Sequence, residues 1–302
     1  MISESLSNRV YYSAKLPEIC PESYRSITEI LDRYGVVHAE MKSTKDIWTR
    51  DFMPIQVCPD RYKIYDYMPD YLRSNKYSHL ISNPVEVCKA NNIIMDNGLD
   101  LVRIDGGNVV HGGTKVIMTA KVFEENPGYT VHELAHLLEM QLDAELIVLP
   151  WDTNEIYGHA DGIVRFIDDD SVVLTNYRQL DQRMGARFKN ILKAHFKTVY
   201  ELKFNVRHPY KNNWAYINWL QTDRVLVLPR FGVPEDEQAY GQIVEFMPEY
   251  RGRIEMADAS DLIRGGGCLN CATWTIYQPS PINNLSEVCS TEVIPPTGSF
   301  CN

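Results

Sequence analysis

The chain has 302 residues, 44% of them hydrophobic and 23% charged, a balance that suits a globular protein and excludes wholesale disorder. Its net charge of −10 argues against a nucleic-acid partner and suits a cationic ligand. Residues 1–9 lack a basic segment leading into an apolar core, and no later apolar run approaches bilayer-spanning length. The expectation is therefore no membrane partner and a cytoplasmic location.

In chain order, an opening strand is expected over residues 9–13, a helix over 21–34 and a strand over 36–41. A hairpin of 52–58 with 62–67 follows, then a helix over 84–91 and a strand over 99–104. The next unit has a hairpin of 108–111 with 115–120, a helix over 131–142 and a strand over 145–149. A third hairpin, 162–167 with 171–176, turns at Asp168-Asp169-Asp170 and leads to a helix over 183–195 and a strand over 199–204. The fourth unit is 214–220 with 224–228, a helix over 235–246 and a strand over 253–256. A last strand over 268–277 lacks a partner unless it pairs with the opening strand at 9–13.

Hairpin starts at 52, 108, 162, 214 and 268 recur about every 54 residues, a spacing typical of repeat architectures. Pairing the last strand with the first would close five ββαβ units into a ring and cover their edges. Asp51, Gly106-Gly107, His159 with Asp161, Asn213 and Gly265 to Gly267 then fall at corresponding points of successive units, which would meet at the axis. Residues 1–278 read as one α/β domain. The Pro, Ser, Thr and Asn-rich stretch 279–302 reads as an extended appendage. Seven scattered cysteines, an odd number, suggest free thiols.

Several motifs carry chemistry. Trp48-Thr49-Arg50-Asp51 precedes a strand, and Gly158-His159-Ala160-Asp161-Gly162 sets an imidazole and a carboxylate two residues apart, which on a strand would share a side. Asp105-Gly106-Gly107-Asn108 reads as a tight turn. Arg264-Gly265-Gly266-Gly267 allows a sharp turn into Cys268-Leu269-Asn270-Cys271, where either thiol could face a site. A competing signal is His132-Glu133-Leu134-Ala135-His136, the H-E-x-x-H zinc protease pattern, with Glu155 as a candidate third ligand.

Taken together, Trp48-Thr49-Arg50-Asp51 with Pro54, Glu155 with Gly158-His159-Ala160-Asp161, Tyr216-Ile217-Asn218, and Gly265-Gly266-Gly267 with Cys271-Ala272-Thr273 resemble the agmatine deiminase and bacterial peptidylarginine deiminase family of guanidine-modifying enzymes. The resemblance spans roughly residues 9–278 and implies a five-bladed α/β propeller, the pentein fold. By it, Cys271 is the nucleophile, His159 the acid and base, and Asp51 and Asp161 the carboxylates that hold the guanidinium. Trp48, Glu155 and Asn218 match substrate-site positions. Two positions depart from the pattern, Asn270 where the family typically has His and Cys268 where it usually has Asn.

The implied reaction is hydrolytic deimination, of agmatine first, with free arginine and peptidyl-arginine as alternatives. It needs no metal and no cofactor. The expected partner is a small cationic guanidino substrate, and the sequence is compatible with a homo-oligomer. A zinc protease and a silent guanidine-binding module are the readings of another class.

Overall fold

In the computed structural model, which describes residues 1–279, the chain forms five three-stranded sheets of one plan. Each has a central strand paired antiparallel to one neighbour and parallel to the other. The first joins Ile55–Cys58, Arg61–Asp66 and Met95–Arg103, and the second Val110–Gly112, Lys115–Thr119 and Glu145–Leu149. Val164–Asp168, Ser171–Leu174 and Thr198–Glu201 make the third, and Leu220–Gln221, Leu226–Arg230 and Ile254–Asp258 the fourth. The fifth is shared by the two ends of the described chain. Arg9–Ser13 lies between Thr273–Ile276, with Tyr11 opposite Trp274, and Val37–Met41.

A parallel pair needs a crossover of a dozen or more residues, and a helix supplies it in every unit. Local chemistry sets their ends. Pro84–Ala90 is capped by Asn83, whose side chain accepts from Val85 and Glu86 N–H. Val131–Leu142 opens with a capping box between Thr130 and Glu133 and stops where Asp143 turns left-handed at φ 51°. Pro21–Arg33 turns Ile27, Ile30 and Leu31 inward along one face. Gln182–His195 and Glu235–Phe246 complete the set within one residue of expectation.

Each sheet packs on the next. Val110 and Ile147 of the second meet Val164 and Val172 of the third, and Val173 and Leu202 meet Leu226 and Leu228 of the fourth. Val227 and Ala257 join Val10 of the fifth and Ile27 of its crossover helix. Trp274 and Ile276 join Ile55 and Tyr62 of the first, and the same cluster runs on to Val116 and Met118 of the second.

One expectation needs correction. Positions 52, 108, 162 and 214 do not open strands. They sit in or at the end of short helical turns, Thr49–Phe52, Gly106–Asn108, Ala160–Gly162 and Asn213–Ile217, and the strands begin two to six residues later, at Ile55, Val110, Val164 and Leu220. Position 268 likewise lies in a turn, closed by Ala272 N–H to Cys268 O at 3.0 Å, before the strand at Thr273. These turns touch one another in sequence order. Asn270 N–H donating to Asn218 O at 3.0 Å and Arg50 N–H donating to Cys271 O at 3.1 Å complete the circuit. Crowded against each other, their backbone groups have no room for a ladder and bond locally instead, as Ile163 N–H does to Ala160 O at 2.9 Å.

Among the described residues no helix is long and apolar enough to cross a membrane. Cys20, Cys58, Cys88, Cys268 and Cys271 are free thiols. The appendage, with Cys289 and Cys301, lies from residue 280 outside the described residues.

Candidate functional site

The circuit of turns surrounds one end of a pocket of about 950 Å3, and Trp48, Asp51, Glu155, His159, Asp161 and Cys271 all line it. Asn218 lies beneath them, fully buried. Of the residues expected at the axis, Asp51, His159, Asp161 and Gly265 to Gly267 line the pocket, whereas Gly106, Gly107 and Asn213 do not, and a turn and not a strand aims His159 and Asp161 into it.

The turn carrying Cys271 depends on close approach. A β-carbon on Gly267 would stand 2.5 Å from the Trp48 ring, and Gly266 adopts φ +90° with the Tyr157 hydroxyl where a β-carbon would go. The two thiols of the C-x-x-C run part here. Cys268 is fully enclosed in an apolar cluster, while Cys271 lines the pocket.

Around the sulfur the polar atoms are ordered. Cys271 Sγ lies 3.3 Å from Asn218 Oδ1 and 3.6 Å from Asp161 Oδ2, and Cys271 N–H donates to Asn218 Oδ1 at 3.2 Å. Asp161 Oδ2 also accepts from Asn270 Nδ2 at 2.7 Å and Asn218 Nδ2 at 3.0 Å. Its Oδ1 takes no part in these bonds. Burial, then the Asp161 and Asp51 charges, push the Cys271 thiol well above its ordinary range. At neutral pH it is a neutral S–H.

His159 faces a carboxylate at each ring nitrogen. Nε2 is 3.1 Å from Asp105 Oδ2, and Nδ1 is 3.7 Å from Asp51 Oδ1, which in turn accepts Gly107 N–H at 3.1 Å. Burial opposes the imidazolium, but Asp51, Asp105 and Asp161 outweigh it and raise His159 to about 9. Burial pushes Asp51 up to about 7, against the pull of His159. At neutral pH the ring is a cation.

Sequence reasoning missed three groups. Asp105, read as part of a tight turn, is the acceptor that orients His159. Its only signal was its place in the repeat, level with Asp51 and His159. Lys121, 1% exposed, lies 3.5 Å from Asp105, 3.0 Å from Asp70 and 3.6 Å from Glu125, and donates to Tyr157 O at 2.9 Å. It ties the floor of the pocket to two segments of its rim. Tyr71 packs edge-on against Tyr157 and His159. Glu155 is exposed at the rim, and its carboxylate is occupied by Tyr157 and Gly158 N–H.

The zinc pattern does not assemble. His132, Glu133 and His136 are exposed on their helix, and Glu133 is spent on the Thr130 cap. Among the described residues no group of three metal-ligating side chains forms.

The pocket lining contains six carboxylates, Asp46, Asp51, Asp152, Glu155, Asp161 and Asp181, and no lysine or arginine among the described residues. Such a cavity attracts cations and repels carboxylate-bearing ligands.

Comparison with known proteins agrees. Residues 10–277 match the model of the Porphyromonas-type peptidyl-arginine deiminases. A presumed agmatine deiminase of Lactococcus lactis subsp. lactis (strain IL1403) is 21% identical over 76% of this chain and 74% of its own. One of Marinomonas sp. (strain MWYL1) is 24% identical over 63% and 58%. In fold the chain is similar to the agmatine deiminase of C. jejuni, with a TM-score of 0.72 at 18% identity over 92% of this chain and 95% of the other. DDAH from Pseudomonas aeruginosa gives 0.55 at 8% identity over 90% and 100%. With the match running through nearly all the described residues, the chain belongs to the Porphyromonas-type peptidyl-arginine deiminase family.

Proposed function

We propose that this protein hydrolyses a guanidino compound to a ureido product and ammonia, with agmatine, giving N-carbamoylputrescine, as the substrate. The observation that carries the reading is a thiol, an imidazolium and two carboxylates set around one cation-attracting pocket. We infer that the five sheets form a closed five-bladed α/β propeller. The pairing of Arg9–Ser13 with Thr273–Ile276 and the circuit of touching turns support this.

A guanidinium is resonance-stabilised and stays protonated to about pH 12 or above, so its carbon is a poor electrophile. Asp51 and Asp161 grip its N–H groups, and Trp48 lies along the chain that follows. The arriving cation offsets the charges that keep Cys271 protonated, and the thiol releases its proton to solvent through the mouth of the pocket, so the thiolate forms where it is needed. Sulfur attacks the central carbon, the C–N bond breaks, and His159 gives its proton to the departing ammonia. His159, now neutral, takes a proton from water as its oxygen bonds to the same carbon. The C–S bond then breaks as the carbonyl forms and the remaining hydroxyl proton passes to solvent, releasing the ureido product and the thiolate. Asp105 holds the ring throughout, and Asn218 and Asn270 fix Asp161.

The ring of carboxylates and the absence of a lining arginine or lysine favour a substrate with a second positive charge over one with an α-carboxylate. The test is ammonia and ureido product measured over agmatine, arginine and an arginine-containing peptide. Agmatine is expected to give the highest kcat/KM. Release of ammonia from none of the three would overturn the proposal.

A further inference from the structure

The turns that present the pocket residues also border a second cavity. Asp51 and Cys271 line the large pocket, whereas Arg50 lines a separate space of about 20 Å3 together with Gly106, His111 and Thr275. Arg50 is 8% exposed and Arg165 1%. Both guanidiniums meet a single carboxylate, Glu4, brought in by the N-terminal segment. Arg50 Nη1 lies 3.7 Å from Glu4 Oε1, and Arg165 Nη2 pairs with Glu4 Oε2. Arg50 Nη2 donates to Thr275 Oγ1 at 3.1 Å, and Arg165 Nη1 to Trp219 O at 3.1 Å. Among the described residues Arg50 Nε, Arg165 Nε and His111 Nδ1 have no partner at all.

The charges do not balance. Burial opposes ionisation of Glu4, but Arg165 and Arg50 outweigh it and hold it below the usual carboxylate range, so it contributes one negative charge. Burial pushes His111 down to about 4, so at neutral pH it contributes none. Two positive charges thus face one negative charge largely shielded from solvent, an arrangement that is costly unless a counter-charge is supplied. The cavity is the place for one. About 20 Å3 exceeds the roughly 10–15 Å3 that a single water-sized body needs, and it is far too small for a tetrahedral oxyanion.

We propose that this cavity binds one small monovalent anion of the halide class, chloride in ordinary solution, held by Arg50 Nε and by His111 with its proton on Nδ1. The site adjoins the proposed chemistry. Arg50 N–H donates to Cys271 O at 3.1 Å, and Gly106 precedes the residue whose N–H holds Asp51. Occupancy fixes the turns that carry Asp51 and Cys271.

The experiment pairs bromide with melting curves. Crystals grown in sodium bromide and measured at the bromine edge are expected to show an anomalous peak in the cavity, within about 3.5 Å of Arg50 Nε. At constant ionic strength, chloride or bromide is expected to raise Tm by a few degrees, saturably, where gluconate does not. Arg50→Met risks misfolding, so the variant is His111→Phe, which fills the cavity and is expected to lose the halide-dependent rise. No anomalous peak there, together with a Tm that follows ionic strength alone, means that the cavity holds water and overturns the proposal. An unchanged halide response in His111→Phe does the same. Where the parent protein's crystal and melting data differ, the anomalous peak decides. None of these readouts uses the deiminase reaction, so its failure and this one are separable.

Discussion

At the scale of residues, the candidate site sets charges where burial makes them expensive. Asp161 accepts from Asn218 and Asn270 on one oxygen while lying 3.6 Å from the sulfur. Asp161→Asn would keep the volume and, with its amide oxygen turned to Asn218 and Asn270, those two bonds, but lose the charge. Turnover is expected to fall about 10²–10³-fold, and a rate within about threefold of the parent would remove Asp161 from the site. The imidazolium makes a second prediction. Because His159 is raised from 6.5 to about 9, its contribution to stability is fully present below about pH 6.5 and is lost as pH rises through about 9. Asp51, raised from 3.8 to about 7, adds to the same slope at lower pH, between about 4 and 7. Tm is expected to decline from pH 6.5 to 9, and His159→Asn to flatten that decline. A variant whose Tm falls as steeply over that range would show that His159 is not the group responsible.

At the scale of elements, much was legible because much is local. Helix ends fell within a residue of expectation where a proline, a capping Asn or Asp, or a Thr130–Glu133 box marks them. The short helical turns before the strands were not legible, since crowding between turns distant in sequence creates them. Lys121 was hidden for a related reason, as nothing local announces that a lysine is 1% exposed among three carboxylates. Gly107 tests how tightly these turns are fitted. A β-carbon there would stand 2.5 Å from His159 Nδ1 and 2.7 Å from Asp51 Oδ1. Gly107→Ala is expected to keep the circular dichroism spectrum and lose turnover by about 10²-fold, the scale of a misplacement near 1 Å. Unaltered turnover would mean that the imidazole and carboxylate are not set by that contact.

At the scale of the whole molecule, a period of about 54 residues told where the chemistry would gather before any single motif did. Asp51, His159 and Cys271 are each more than 100 residues from the next, yet line one pocket because neighbouring sheets pack in sequence and the last strand pairs with the first. The same architecture explains why H-E-x-x-H misleads here, since its helix is a crossover whose histidines face outward. The central claim is that Cys271 performs covalent chemistry on a guanidinium at this meeting point. The most direct measurement is ammonia release from saturating agmatine by the parent protein and by Cys271→Ala. The account predicts steady release by the parent and a loss of at least about 10³-fold in the variant, while release by Cys271→Ala within about tenfold of the parent would contradict it.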